Sequence, residues 1–246
     1  MSDNISAADE SKRLVSRIND MIRLAEKRGS VYSSFLNARE CVLAEAELKR
    51  LMYDNYCFYG LFENAERKML CVFKEYYQPE NSDFPMTCLT FSYRKENKLT
   101  HRDFLGAIMA LQIKRETVGD IVIGDGTAQI AVSDSVGNVI KSDIRKIGSV
   151  GVKVSDECGT VLKKVQEFKE IKGTVASLRL DGVLSLALNM SRSRTAGIIK
   201  GIGAEVNYFL KYDSSFCRRE ILFLLRVLEN TGLKKFQASQ RKAEYT

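Results

Sequence analysis

The sequence predicts an α+β protein that consists of a helical first region, a central β-α-β-β-α-β domain and a small basic last domain. Helix-spaced apolar residues fill the first third, strand and helix patterns alternate in the middle third, and cations are concentrated in the last third. We therefore expect an α-rich domain over 1–85, a split βαβ domain over 86–160, a linker over 161–176 and a final domain over 177–246.

Composition places the chain among ordinary globular proteins. It has 246 residues, of which 45% are hydrophobic and 28% charged, and this is enough apolar material for hydrophobic cores. The single histidine argues against most hydrolase triads and zinc sites, which need imidazole groups. The six cysteines include no C-x-x-C pair, so we expect reduced thiols and no metal. No apolar run approaches the roughly 18 residues of a membrane span, and we expect a cytoplasmic protein without membrane contact.

The first region is predicted to hold two helices followed by a strand. Apolar residues recur at the spacing of one helix face, and these are Leu14, Ile18, Met21, Ile22 and Ala25, with Gly29 as the stop. Asn37 and Glu40 have the form of a capping box for a second helix, whose apolar stripe would be Leu43, Leu48, Leu51 and Met52. A strand over 69–77 and a loop with both prolines then mark the domain boundary.

The central region alternates strand and helix patterns. The predicted elements are a strand from Met86, a helix opened by Thr100, strands over 120–124 and 127–132 joined by a Gly-Asp-Gly turn, a helix over 135–147 and a strand over 150–154. Val136, Val139, Ile140 and Ile144 would face inward. RNA-recognition domains stack bases on sheet aromatics, but neither central strand has any. If this domain contacts RNA, we expect it to use another surface.

The excess of positive charge lies at the end of the chain. The net charge is −2 over 1–85, +3 over 86–165 and +6 over 166–246. A basic segment of this kind is typical of phosphate-binding modules. A solubilising surface explains the same charge equally well, so the residue pattern must decide between the two interpretations.

The most informative pattern lies between Arg179 and Asn207. Leu180, Leu184 and Leu188 form one helix face, and Ser191 is a good N-cap for a second helix. This second helix begins with Arg192 and Arg194, although the positive end of a helix dipole favours acidic residues. A phosphate held by these guanidiniums, the Ser191 and Ser193 hydroxyls and the free backbone N–H groups would offset the repulsion. In the alternative interpretation, the arginines are solvated or paired with Asp181 and Glu205.

The same string, with R-L-D, S-R-S-x-x-A and I-I-K in that order, resembles the S-four RNA-binding domain. The resemblance implies that two helices and a small β unit present a basic face to structured RNA. By position, the RNA-facing residues would be Arg179, Ser191, Arg192, Ser193, Arg194 and Lys200, and Asp181 would orient Arg179. The usual Gly-Asp turn before the closing strand is missing, and the last segment could be partly helical.

Upstream segments resemble the bacterial YlmH-type family. They are Phe35-Leu36 with Arg39-Glu40, Tyr59-Gly60 with residues 64–68, residues 99–107, residues 114–116 and residues 119–121. The resemblance implies a helical first region, a central RNA-binding domain and a terminal S-four module. It also implies binding to the large ribosomal subunit, and a role in quality control of stalled peptidyl-tRNA complexes.

A second group of cations surrounds the predicted helix at Thr100. His101, Arg102, Lys114 and Arg115 are secondary RNA-binding candidates that could extend a phosphate track. The alternative is structural, because Thr100 and Asp103 form a capping box and a lone histidine at a helix start is more often a surface or capping residue than a base. Residues 66–68 would form a charged face near the domain junction.

These observations favour a non-enzymatic protein that binds structured RNA, either rRNA or tRNA, without a catalytic residue, cofactor or metal. The alternative is an RNA-modifying enzyme, related to pseudouridine synthases or rRNA methyltransferases, that uses the S-four module for targeting. The sequence has no evident synthase motif or glycine-rich cofactor loop that such an enzyme would need. Turn chemistry explains Asp120 and Asp125 better than catalysis does. A third possibility is an adaptor whose first domain binds a protein partner.

Overall fold

The chain folds into two compact units, which comprise residues 1–165 and 166–246. The computed structural model describes residues 7–163, 174–206, 209–214, 220–225 and 234–239. In this described part, no helix is long and apolar enough to span a membrane. The five cysteines within it are free thiols, and Cys217 lies outside the described residues.

The first unit opens with two helices that the sequence predicts correctly. Helix α1 (Ala7–Arg28) buries the predicted apolar face, and Gly29 follows it with a positive φ of 93°. Helix α2 (Ala38–Arg50) begins at Asn37, whose side chain accepts a hydrogen bond from the Glu40 N–H. The reciprocal bond runs from the Asn37 N–H to the Glu40 carboxylate at 2.7 Å. The capping box therefore fixes the start of α2.

The first region also contains a sheet, of which only the strand that begins at Met69 was predicted. Strands β1 (Ser30–Tyr32), β2 (Tyr56–Tyr59) and β3 (Met69–Phe73) form an antiparallel sheet in the order β1-β3-β2. The aromatic residues of β2 have the period of a strand, because Tyr56 and Phe58 pack on one side of this sheet and Tyr59 on the other. Met52 was also predicted wrongly: it is 87% exposed and has a φ of 53° just beyond α2.

The central region contains the predicted β-α-β-β-α-β succession. Its elements are β4 (Met86–Ser92), α3 (His101–Ala110), β5 (Val118–Ile123), β6 (Thr127–Ser133), α4 (Asp134–Asp143) and β9 (Lys153–Ser155). The sheet has the order β5-β6-β4-β9, and all its neighbours are antiparallel. The Thr100–Asp103 capping box that begins α3 is present.

Between α4 and β9 the chain makes a small hairpin that the sequence analysis missed. Strands β7 (Lys146–Ile147) and β8 (Val150–Gly151) pair around Gly148 and Ser149. Helix α4 is therefore shorter than predicted, and the predicted strand over 150–154 is divided between β8 and β9. Val139, which was predicted to face inward, is 43% exposed.

Both faces of the central sheet are buried. Along β6, Ala128, Ile130 and Val132 pack with α3 and α4 in one cluster. The intervening Ala131 belongs to a second cluster with Phe35, Phe62, Met69 and Phe84 from the first region. The predicted boundary near residue 85 therefore lies inside one compact unit, because a shared core crosses it.

The segment that follows β9 also covers the second face of the sheet. The Gln129 side chain on β6 donates to the Thr160 carbonyl at 3.1 Å and accepts from the Leu162 N–H at 2.7 Å. Leu162 packs against the same cluster as Ala131. A buried amide with both of its groups satisfied holds this segment on the sheet.

The described residues of the second unit form two helices and an antiparallel sheet. Its elements are α5 (Leu180–Leu188), α6 (Arg192–Ile202), β10 (Ala204–Val206), β11 (Phe209–Lys211), β12 (Glu220–Leu225) and β13 (Lys234–Ser239), with strand order β11-β10-β12-β13. Leu180, Leu184 and Ile199 form its described core. Residues 234–239 of the last segment form a strand, and the other residues for which we expected partial helix, 226–233 and 240–246, lie outside the described part. Asn207 lies outside the described residues, as do residues 164–173 of the predicted linker.

Gly119→Ala tests the packing between the first region and the central sheet. A Cβ atom at Gly119 would lie 2.6 Å from the Phe35 ring and 3.0 Å from the Ala131 Cβ. We expect the variant to lose about 1–3 kcal/mol in the free energy of unfolding, as overpacked cores do. The measurement is urea denaturation followed by circular dichroism.

Gly106→Ala is the matched control, because a Cβ atom at this exposed position of α3 meets nothing within 4 Å. Alanine should raise the free energy of unfolding by about 0.5–1 kcal/mol, since glycine is a poor helix former. Equal effects at the two glycines would contradict the packing described.

Candidate nucleic-acid interface

The start of α6 is built by a left-handed turn and a serine cap. Asn189 ends α5 with a φ of 53°, a conformation that asparagine tolerates well. Two residues later, the Ser191 hydroxyl accepts from the Arg194 N–H at 3.4 Å. The Thr195 hydroxyl donates to the Ser191 carbonyl at 3.0 Å, and this threonine is fully buried. The predicted N-cap is therefore confirmed, with Thr195 as a supporting residue that the sequence analysis missed.

Asp181 connects the two helices of the second unit. Its carboxylate accepts from the Arg192 Nε at 2.9 Å and from the Arg179 Nε at 3.2 Å. The aspartate side chain is only 9% exposed, whereas the two arginine side chains are about half exposed. The hydrogen bond from Arg192, supported by Arg179, lowers the pKa of Asp181 below its ordinary value. Asp181 therefore orients two arginines, not one.

The remaining candidates lie on the outer side of α6. At about 100° per residue, Ser193 and Lys200 lie near the middle of one helix face, with Arg192 on one flank and Arg194 on the other. Ser193, Arg194 and Lys200 are exposed. Within the described residues, the cationic groups of Arg194 and Lys200 form no ion pair. The alternative interpretation therefore applies to Arg192, which is paired with Asp181; the Glu205 side chain lies outside what the structure describes.

The first turn of α6 differs from those of the other described α-helices. Each of the others has an acidic residue in its first turn, and α6 has none. Arg192 and Arg194 instead add positive charge where unpaired N–H groups already point outward. The Ser191 and Ser193 hydroxyls lie 3.3 Å apart beside them. This arrangement can bind an anion such as a phosphate.

The secondary candidates do not form one cluster. His101 and Arg102 begin α3, whereas Lys114 and Arg115 follow its last turn, so the two pairs are separated by about 15 Å of helix. His101, Arg102 and Lys114 are exposed. The partly buried Arg115 guanidinium donates to the Val118 carbonyl, and burial together with the nearby Arg67 lowers its pKa to about 10. Arg115 is held in a structural contact.

The charged face near the junction has a structural role. The Asp120 carboxylate accepts from the backbone N–H groups of Glu66 and Arg67 at 2.8 and 3.1 Å. The Arg67 side chain donates to the carbonyls of Val118, Phe35 and Arg115. These bonds join the first region to β5 at the irregular register between Val118 and Ile121.

The other carboxylate that the sequence analysis considered, Asp125, lies in the Gly-Asp-Gly turn and pairs with Lys95 at 3.1 Å. Asp125 thus has the predicted turn role, whereas Asp120 lies in β5 and bonds to the first region, so turn chemistry was the wrong prediction for it. Among the described residues, no group of three or more His, Cys, Asp or Glu side chains is arranged to hold a metal ion.

Asp181→Asn tests the connection between α5 and α6. Because the folded pKa of Asp181 is lowered, its stabilising contribution is complete above the ordinary aspartate pKa of about 3.9 and is lost as the pH falls through the folded pKa. We expect the variant to reduce the stability of α5 and α6 by about 1 kcal/mol at pH 7, with the difference from wild type shrinking towards pH 2. Hydrogen exchange of peptides from 180–202 in urea, corrected for intrinsic rates, measures both effects.

Asp156→Asn is the control, since it removes an exposed ion pair with Lys141 in the other unit. It should leave the exchange of 180–202 unchanged. A pH-independent difference between Asp181→Asn and wild type would contradict the role given to the ionised carboxylate.

Comparisons with known proteins place the chain among RNA-binding proteins. Residues 79–159 match a protein family described as "Putative RNA-binding domain in YlmH". The chain is 29% identical over 216 residues to the ribosome-associated protein quality control protein P2 of Bacillus subtilis (strain 168), covering 87% of this chain and 84% of that relative. The cell division protein ylmH from Streptococcus pneumoniae shares the fold, with a TM-score of 0.51 and 24% identity over 63% of this chain and 94% of its own.

Proposed function

Because the chain belongs to the YlmH-type RNA-binding family, we propose that it is a non-enzymatic RNA-binding protein that works on the ribosome. In this proposal it docks on the large ribosomal subunit and takes part in quality control of stalled peptidyl-tRNA complexes. The relative from Bacillus subtilis, whose name states ribosome-associated quality control, supports this role. The contact with structured RNA is assigned to the second unit.

The exposed cationic face of α6 is the observation that carries the proposal. Arg194 and Lys200 are exposed, and Arg192 is held at the edge of the same face by Asp181. Exposed cations, hydroxyl groups and helix N–H groups are the donors that bind nucleic-acid phosphates. Residues 166–246 carry a net charge of +6, which increases the attraction to a polyanion.

We propose that the second unit is an S-four RNA-binding domain. Its two described helices are followed by a small antiparallel sheet, and the order of motifs from Arg179 to Lys200 resembles that family. In this assignment Arg179 and Arg192 are positioned by Asp181, while Ser191, Ser193, Arg194 and Lys200 contact phosphate oxygens. Such contacts fix orientation on the RNA without reading its sequence.

The structural contacts of Asp120 and Asp125 favour a binding protein over an RNA-modifying enzyme. A catalytic carboxylate must reach the reacting group of the substrate. Asp120 instead accepts hydrogen bonds from the backbone N–H groups of Glu66 and Arg67 inside the first unit. Asp125 pairs with the exposed Lys95. Mapping of modified nucleotides after incubation with rRNA would overturn this assignment if a stoichiometric modification appeared.

Arg194→Gln/Lys200→Gln tests the proposed function. Both residues are exposed and have no described ion pair, so the variant should fold normally while losing two phosphate contacts. We expect weaker binding to purified large ribosomal subunits. In a plot of log affinity against log salt, the negative slope should become shallower by about two. Sedimentation through sucrose gradients over a KCl series measures both quantities.

The control for this experiment is Lys12→Gln/Lys27→Gln, which removes the same charge from exposed positions of α1. It should leave the salt dependence of binding unchanged. If the wild-type protein remains at the top of the gradient at every salt concentration, the ribosome assignment fails. If the two variants behave alike, the assignment to α6 fails.

A further inference from the structure

The central domain has no exposed sheet face on which RNA could stack. Sheet-binding RNA domains use aromatic side chains on an open face, but here α3 and α4 cover one face and the first region covers the other. Leu162 and the backbone near Thr160 cover the second face further. RNA that contacts the part of the chain matched by the RNA-binding family must therefore use a different surface of this domain.

The hairpin between α4 and β9 is such a surface. Lys146 pairs with Gly151 and Ile147 with Val150, and the Val152 N–H extends the pairing to the Arg145 carbonyl at 3.0 Å. Ile147 is buried in the cluster beneath α3, which anchors one face of the hairpin. Because side chains alternate along a strand, Lys146 and Gly151 face away from this core.

The charges of the hairpin have one sign. Residues 144–155 contain Arg145, Lys146 and Lys153 and no acidic residue, and all three cations are exposed. Within the part of the chain that the structure describes, none of the three forms an ion pair. The carboxylate that follows, Asp156, is already paired with Lys141 at 2.7 Å.

The backbone requires glycine at one of the two glycine positions in the hairpin and not at the other. Gly148 has a φ of 59° at the first position of the Gly148-Ser149 turn, where a type II′ hairpin turn places glycine. Gly151 needs neither a positive φ nor space, because a Cβ atom there would meet nothing within 4 Å. Without a side chain at Gly151, the backbone beside Lys146 is accessible, so a phosphate can approach this backbone closely.

We propose that the hairpin over 145–153 is a second RNA-binding element that contacts phosphates, separate from the face of α6. The inference rests on the proposed RNA-binding function and names the surface that the central domain uses. The hairpin has no aromatic side chain for base stacking, so it binds the backbone without sequence preference. It therefore adds affinity and orientation to the complex.

The test is the triple variant Arg145→Gln/Lys146→Gln/Lys153→Gln. The probe is a fluorescein-labelled RNA hairpin of 20 base pairs, titrated by fluorescence anisotropy over a KCl series. We expect the negative slope of log affinity against log salt to become shallower by two to three, because each lost phosphate contact removes about one unit from its magnitude. An unchanged slope overturns the proposal.

The matched control is Lys12→Gln/Arg13→Gln/Lys27→Gln, which removes three exposed cations from α1 in the same unit. It should keep the wild-type slope. If this control lowers the slope as much as the hairpin variant does, the effect is one of net charge and the proposal is wrong. Circular dichroism of both variants should match wild type, since all six residues are exposed.

Gly151→Glu is a second variant that tests the surface without removing a cation. The open space and ordinary φ at this position accommodate the side chain, and its carboxylate would lie opposite Lys146 on the outer face. We expect weaker RNA binding with an unchanged unfolding transition. RNA binding equal to wild type in this variant would contradict close phosphate approach.

A comparison with Arg194→Gln/Lys200→Gln on the same RNA separates this inference from the proposed function. If the hairpin variant lowers the slope and the α6 variant does not, the hairpin element stands and the assignment to α6 fails. If only the α6 variant lowers the slope, the hairpin proposal fails. If both variants make the slope shallower, the two elements contribute independently. A variant that combines all five substitutions should then show the sum of the two changes in slope.

Discussion

The first unit depends on the burial of the central sheet on both of its faces. Strand β6 contributes alternate residues to two separate clusters, one beneath the helices and one beneath the first region. Phe35 packs so closely on β5 that only glycine fits at position 119. This packing makes the first region and the central domain one compact unit, and it removes the sheet from any contact with RNA.

The polar groups at this junction explain how charged residues are accommodated beside the core. Arg67 and Asp120 are largely buried, and each is satisfied mainly by backbone groups of the other part of the unit. Buried charges without such partners would be costly. Burial lowers the pKa of Arg67 and also that of Arg115 beside it. These cations stabilise the junction and are not available to a phosphate track.

The second unit uses charge in the opposite way. Asp181 holds Arg179 and Arg192 in place, while Arg194 and Lys200 remain in solvent. A helix that begins with cations gives up favourable dipole interactions, and a bound anion at that end would compensate for the loss. In the described part of the chain, the face of α6 and the hairpin over 145–153 both expose cations that form no ion pair.

The sequence by itself determined the local elements whose causes are local. The capping boxes at Asn37 and Thr100, the cap at Ser191, the face of α1 and the order of the central strands and helices all follow from neighbouring residues. The face of α6 also follows, because its residues are close along the chain. The family resemblance was carried by motifs of the same local kind.

Tertiary structure decided the features that depend on distant partners. The aromatic residues of β2 form a strand because β2 pairs with β3. This pairing is not visible in the local sequence, so β2 was not predicted. The coverage of the central sheet depends on Phe35, Phe62 and Met69, which belong to the first region and precede the sheet in sequence. The role of Arg115 depends on Arg67, which is distant in sequence and donates to the Arg115 carbonyl. The hairpin depends on the docking of Ile147 in the cluster with α3. Burial is a property of packed neighbours, and sequence periodicity records only which face is apolar, not what will cover it.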